Sequence, residues 1–277
     1  MEHEEGVFQG SGDIKLYYQY WEPRAEARAV VAIVHGVGEH SGRYQNLIEP
    51  LTNKNYALYG FDLRGHGRSP GQRVFINSWS EYREDLNSFV KFIEEQEPGK
   101  AIFLYCHSLG SIIGLDYVMN YPKEIKGIIF SGTPFESSGA VKPLLITLAN
   151  LMSKIVPRFS MNLGLDITAL SKDEAVVQGY ANDPLVSRLA TARFGTEYLK
   201  TTAWTREHIG ELAIPAFFIH GEADRIAVAQ AVADAVKEIH LAEKTLIIYP
   251  GGFHEPHNDY GYARVMGNVT EWLDQHV

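Results

Sequence analysis

Residues 101–118, AIFLYCHSLGSIIGLDYV, change character within a few positions. Ala101 to Cys106 is a near-continuous apolar, strand-like run, His107-Ser108-Leu109-Gly110 is a turn, and a helix-like stretch follows. A strand apolar at every position must be covered on both faces, which calls for a sheet packed between helices. The same turn gives Ser108 a special setting. A serine at the tip of a sharp strand-to-helix turn projects its oxygen away from the backbone, and the N–H groups that follow lie at a helix N-terminus, where developing negative charge is favoured. Ser108 is therefore a candidate catalytic nucleophile, although a serine capping the helix that starts near Leu109 would read similarly from the tripeptide alone. Ser-x-Gly also occurs at Ser69-Pro70-Gly71 and Ser137-Ser138-Gly139. Pro70 has no N–H to offer an oxyanion, and no apolar strand leads into Ser137.

The rest of the chain supplies the layers that this turn demands. Short β-rich runs recur at Ile14–Trp21, Val30–His35, Tyr56–Phe61, Ala101–Cys106, Lys126–Ser131, Pro215–His220 and Thr245–Tyr249, with helical patterns between them. Ser78-Trp79-Ser80-Glu81 has the spacing of a capping box, and Tyr82, Leu86, Phe89, Val90 and Ile93 follow on one helical face. The alternation predicts an α/β fold with a doubly wound, mostly parallel sheet, whose reactive groups gather at the carboxyl ends of the strands. It breaks between about Pro134 and Trp204, where helix-like patterns occur without a convincing sheet strand. The expected organisation is a core over 1–133, an inserted, mainly helical cap over 134–205, and the second part of the core over 206–277. At 277 residues the chain is long enough for this.

A serine hydroxyl needs a base, usually a histidine oriented by a carboxylate. Asp224, in HGEADRI just after the strand that ends at His220, fits the carboxylate; a loop or N-cap aspartate is the plainer reading of that position. His254, in YPGGFHEPH after the strand that ends near Tyr249, fits the base, with His257 as its rival three residues on. Gly251-Gly252 favours His254 by letting the loop reach over the sheet edge. The N–H groups of Leu109 and of Val37, in His35-Gly36-Val37-Gly38, are the expected oxyanion hole, where each donor is worth about 3 to 4 kcal/mol in the transition state. This chemistry requires no cofactor and no metal. His254-Glu255-Pro256-His257 lacks the spacing of a zinc-binding HExxH helix, and Pro256 would break one.

Composition excludes several other classes. The formal charge is −9, from 25 basic and 34 acidic residues, and the absence of a Lys/Arg block argues against nucleic acid as a partner. No run of 18 apolar residues suggests a membrane span. The acidic MEHEEGVFQG does not resemble a signal peptide, and a lone Cys106 allows no internal disulfide, so the expected location is cytoplasmic.

With these residues in hand, the chain resembles the monoglyceride lipase family of α/β-hydrolases over nearly its whole length. HGVGEHSGRY at 35–44 resembles that family's oxyanion loop, FDLRGHGRSPG at 61–71 its post-strand loop and LSKDEAVVQGYANDPL at 170–185 its cap segment, while HGEADRI and FHEPH are similar to its acid and base loops. The resemblance implies a serine esterase that cleaves monoacylglycerols to fatty acid and glycerol, with Glu39, Arg43 and His257 at the polar end that receives the glycerol head group. Glu39 and Arg43 would equally serve as a structural ion pair, and His66, in the widespread RGHGRS, reads as structural. Cys106 departs from the family, which has glycine two residues before the nucleophile. Alternatives in the same class are a lysophospholipase or a broad carboxylesterase; in another class, a non-catalytic lipid-binding protein of the same fold. The cap run VKPLLITLANLMSKIVP, Val141 to Pro157, is apolar almost all round. It is expected to pack within the cap, line an acyl tunnel or touch a membrane surface transiently.

Overall fold

The computed structural model of the chain describes residues 1–137 and 143–277, and of residues 143–148 the backbone alone. In chain order the elements are β1 (Glu2–Gln9), β2 (Lys15–Glu22), β3 (Ala29–Val34), α1 (Gln45–Thr52), β4 (Tyr56–Phe61), α2 (Ser80–Gln96), β5 (Ile102–His107), α3 (Leu109–Asn120) and β6 (Gly127–Ser131). Then come α4 (Pro143–Ile155), β7 (Ser160–Asn162), α5 (Glu174–Asn182), β8 (Leu189–Thr191), α6 (Ala192–Glu207), β9 (Ala216–Gly221), α7 (Ala229–Glu238), β10 (Lys244–Tyr249) and α8 (Tyr262–His276).

Among the described residues the main sheet has eight strands in the order β1-β2-β4-β3-β5-β6-β9-β10. The pairs from β4 to β10 are parallel, while β1–β2 and β2–β4 are antiparallel. Alternating side chains of the central strands feed two cores, as the period of a strand requires. Val30, Ala32 and Val34 of β3 pack with the apolar faces of α2, α3 and α7. Ala29, Val31 and Ile33 pack with those of α1 and α8 on the other side. The central strands β3, β4, β5, β6 and β9 are thus buried on both faces and read as mostly apolar runs for that reason.

The structure adds one strand to the pattern reading and corrects two local expectations. The acidic N-terminal segment is strand β1, whose mostly exposed polar side chains hide its nature; backbone pairing with β2 over Glu2–Gln9 holds it at the sheet edge. The capping box over Ser78–Glu81 does not form: α2 starts at Ser80, Trp79 makes no side-chain cap, and Glu81 instead accepts hydrogen bonds from the backbone and side chain of Asn77. Between β6 and β9, β7 and β8 pair antiparallel with each other, apart from the main sheet. Val141 and Lys142 of the apolar cap run, and the side chains of 143–148, lie outside the described residues. Further along, Leu151 and Ile155 are exposed, while Ser153 Oγ meets Thr196 Oγ1 of α6 at 2.8 Å. Among the described residues no helix is long and apolar enough to cross a membrane.

Candidate active site

The sheet order brings residues distant in sequence to one edge. Ser108 follows the central strand β5, Asp224 lies in the loop after β9, and His254 lies in the loop after β10. His254 Nε2 is 3.0 Å from Ser108 Oγ, and His254 Nδ1 is 2.7 Å from Asp224 Oδ2. Asp224 caps no helix here. Its Oδ1 accepts the N–H groups of Ile226 and Ala227 at 2.7 and 3.0 Å, which locks the carboxylate within its own turn. His220, at the end of β9, places Nε2 3.1 Å from Asp224 Oδ2.

Burial sets the electrostatics of this relay. Desolvation alone pushes the His254 imidazole down, but the charge and hydrogen bond of Asp224, helped by Glu255 and Glu39, outweigh it and leave the ring above its ordinary pKa. Burial pushes Asp224 up, yet His254 and His220 hold it well below the usual carboxylate range. Nδ1 of His254 therefore donates to an ionised carboxylate, and Nε2 is left to exchange a proton with Ser108.

The serine sits on a strained backbone. Its φ of +50° and ψ of −117° lie in a region costly for a non-glycine residue, about 1 to 3 kcal/mol. The conformation is held from two sides: Ser108 N–H donates to the Ser131 carbonyl at 2.9 Å, and the start of α3 presses on β3 so closely that a Cβ at Gly110 would collide with the Val34 carbonyl oxygen. Cys106 is accommodated by the helix behind it. It is fully buried, and a Cβ at Gly114 of α3 would lie 2.6 Å from its Sγ, so glycine at 114 leaves the room that the thiol occupies. Burial pushes that thiol well above its usual pKa, away from the reactive thiolate. Val37 and Leu109 both line the cavity above Ser108. Leu109 is the first residue of α3, so its N–H has no intrahelical acceptor.

A cavity of about 240 Å³ opens over Ser108 and His254. Apolar lining comes from Leu163, Leu165, Leu170, Phe194, Tyr198 and Leu199, borne by α6 and by the segment between β7 and α5. The polar wall includes Glu39 and Glu255. Arg43 lies behind them, donating to Glu39 at 2.5 Å and, through both terminal nitrogens, to Glu255 at 2.8 and 2.9 Å, with its face against the Tyr180 ring at 4.7 Å. Glu39 Oε1 also accepts the Gly36 N–H and the Tyr44 hydroxyl at 2.6 and 2.8 Å. Burial pushes both carboxyls up, but the Arg43 guanidinium holds Glu39 well below its usual range and Glu255 down at about 2.

The structure brings Ser108, Asp224 and His254 together, sets Val37 and Leu109 beside them, and joins Glu39 to Arg43. It does not bring His257 to the cavity wall. That ring is fully buried and stacked on Tyr44 at 4.9 Å, and among the described residues neither of its nitrogens has a hydrogen-bond partner. Burial lowers it to about 4, so it is neutral. His66 is buried away from the cavity, its Nδ1 donating to the Arg64 carbonyl at 3.0 Å.

Glu255 and His220 are the polar neighbours that sequence reading missed. A glutamate directly after the base histidine, on a loop that folds over the sheet edge, must find a cation, and that is the signal available. Its partner stands 212 residues away. The segment between β7 and α5 also braces the base loop: the N–H groups of His254 and Glu255 donate to the carbonyls of Ala169 and Leu170.

The fold and this corner of the sheet define an α/β-hydrolase, a hydrolase of the lipase and esterase kind. A family model described as serine aminopeptidase, S33, matches residues 25–261. The chain is 30% identical over 274 residues to a monoacylglycerol lipase of Mycolicibacterium smegmatis, covering 99% of this chain and 98% of that one. It superposes with a TM-score of 0.85 on the crystal structure of Paleococcus ferrophilus monoacylglycerol lipase, at 28% identity and with all of both chains covered. A soluble variant of Saccharomyces cerevisiae monoglyceride lipase in complex with a substrate analog shares the fold, with a TM-score of 0.87 at 24% identity, covering 100% of this chain and 96% of that one. The chain belongs to the S33 serine aminopeptidase family and, with these relatives, to the monoglyceride lipase family of α/β-hydrolases.

Proposed function

We propose that this chain hydrolyses the ester bond of monoacylglycerols, releasing glycerol and then a fatty acid through an acyl-enzyme on Ser108. The observation that carries the reading is the imidazole of His254 within 3.0 Å of the serine oxygen and 2.7 Å of the Asp224 carboxylate. Ser108 Oγ attacks the ester carbonyl while His254 Nε2 takes its proton, and Asp224 stabilises the imidazolium that forms. The N–H groups of Val37 and Leu109 hold the oxyanion. His254 returns the proton to the glycerol oxygen as the C–O bond breaks; a water, deprotonated by the same ring, then cleaves the acyl-enzyme.

The two walls of the cavity divide substrate recognition. The apolar wall takes the acyl chain, each buried methylene contributing about 0.8 kcal/mol. Glu39 and its partner Arg43 form the polar end for the glycerol hydroxyls, and His257 supports that end from beneath through Tyr44 rather than by touching the substrate. Residues 134–205 act as the cap over cores 1–133 and 206–277. On the outside of this cap Leu151, Ile155, Val156, Phe159 and Met161 are exposed near Lys154 and Arg158, a surface suited to passing contact with a lipid layer.

The test is a panel of esters sharing one acyl chain, with Ser108→Ala as the blank. Monoacylglycerol should be turned over faster than lysophosphatidylcholine and faster than a simple methyl ester. Equal or faster hydrolysis of the lysophospholipid would replace the glycerol assignment by a lysophospholipase. Turnover of every ester at one rate would make the chain a broad carboxylesterase.

A further inference from the structure

The polar wall of the cavity carries more negative charge than its cation neutralises. Two buried carboxylates, Glu39 and Glu255, face one buried guanidinium, Arg43, so this end is net negative by one. Arg43 Nη1 donates to Glu39 Oε2 and Glu255 Oε1, Nη2 donates to Glu255 Oε2, and the Tyr180 ring covers one face. Glu255 is in turn fixed by the Asn258 side-chain amide at 2.9 Å and by its own N–H on the Leu170 carbonyl. Of the two carboxylates Glu39 already has the Gly36 N–H and the Tyr44 hydroxyl, so Glu255 is the one that draws on Arg43 most, through both terminal nitrogens.

We propose that Glu255 sets the charge of the leaving group this site accepts. A guanidinium with a free edge is the side chain best shaped to bind a phosphate in two-point fashion. By occupying both terminal nitrogens of Arg43, Glu255 withholds that edge from the substrate and presents its own negative charge to the cavity. An uncharged polyol still finds carboxylate acceptors for its hydroxyls. A phosphate on the same glycerol ester meets like charge and, among the described residues that line the cavity, no lysine or arginine, which is discrimination by repulsion rather than by added affinity. Glu255 is thus a specificity-determining residue, and the proposal rests on the ester-hydrolase reading above.

The experiment compares kcat/KM for 1-oleoylglycerol and for 1-oleoylglycerol 3-phosphate, both in the same detergent, with p-nitrophenyl butyrate as an uncharged ester that reads the triad alone. The wild-type enzyme should prefer the neutral ester by about 100-fold or more, as a buried like-charge clash costs several kcal/mol. Glu255→Gln, close to isosteric, should cut that preference by about ten-fold or more, because the Arg43 edge is then shared with a neutral amide. Arg43→Met added to Glu255→Gln should restore it. A preference that Glu255→Gln leaves unchanged, while turnover of p-nitrophenyl butyrate shows a working triad, overturns the proposal. If the variant does not fold, the wild-type ratio decides, and a value below about ten overturns it by the same electrostatic scale. Loss of p-nitrophenyl butyrate turnover in the wild type would instead sink the hydrolase reading, and the proposal with it.

Discussion

The two walls of the cavity are built on opposite plans. The polar wall comes from the core, on the loops after β3 and β10, and its groups are locked by short charge-assisted hydrogen bonds: Glu39 has three donors and Arg43 has two carboxylates. The apolar wall comes from α6 and the segment before α5, and it runs from buried Leu170 and Phe194 out to Leu199, which is 40% exposed. Orientation of a reacting ester to within a fraction of an ångström needs the first plan, since misplacement costs rate directly. Holding a chain of repeating methylenes needs only apolar surface, which is non-directional. The contrast explains why precision resides at the strand ends and tolerance in α6 and the segment before α5.

The largest effect that could break this contrast lies at the locked end. His254→Ala should lower kcat by about 10⁴-fold or more, and Asp224→Asn by a comparable factor because the imidazole would take the wrong tautomer. Both losses should appear in kcat with little change in KM, measured on a soluble short-chain ester. A loss expressed mainly in KM would mean that these groups bind substrate rather than react.

Next comes the ion cluster. Arg43→Met leaves two buried carboxylates without their cation and should destabilise the fold by about 3 to 5 kcal/mol, read from the denaturant midpoint. Leu199→Ala in the other wall, at a partly exposed position, should cost under about 1 kcal/mol, well below the range for a fully buried leucine. If the two variants lose equal stability, the difference in plan between the walls is not real.

Smaller effects sharpen it. Phe194→Ala should raise KM for long-chain monoacylglycerols more than for short ones, by up to about 3 kcal/mol of binding, with kcat for a two- or four-carbon acyl group changed little. The pH profile adds a sign. The folded pKa of His254 is raised above 6.5, so activity, which needs the neutral ring, should fall as pH drops through a value above 6.5. Removing the Glu255 charge should move that limb to lower pH. The carboxyl groups of Glu39 and Glu255 are held low, so their stabilising contribution is present above about pH 4.5 and lost as pH falls toward 2.

Strands buried on both faces, and the three groups at their carboxyl ends, could be read directly because burial forces apolar composition and the turn chemistry is local. β1 could not, because EHEEGVFQ is polar and its order comes from backbone bonds to β2 that leave no mark on side-chain pattern. Glu39 and Arg43, four residues apart, could be paired from sequence. Glu255 could not, since its partner is brought to it by the sheet order alone. His257 shows the same limit from the other side. The family resemblance implied a place at the polar end of the cavity, whereas its burial against Tyr44 depends on how the base loop folds back. The tolerance of Cys106 rests on Gly114, eight positions on, an intrahelical glycine whose purpose is visible only once strand and helix are packed.

Reaction of the purified protein with a fluorophosphonate, followed by peptide mapping, tests directly whether Ser108 is the activated nucleophile of the sheet edge. The expected result is one adduct, on the hydroxyl of Ser108, formed quickly in the wild type and abolished in His254→Ala. An adduct on another residue, or labelling of Ser108 that proceeds unchanged without His254, would contradict it.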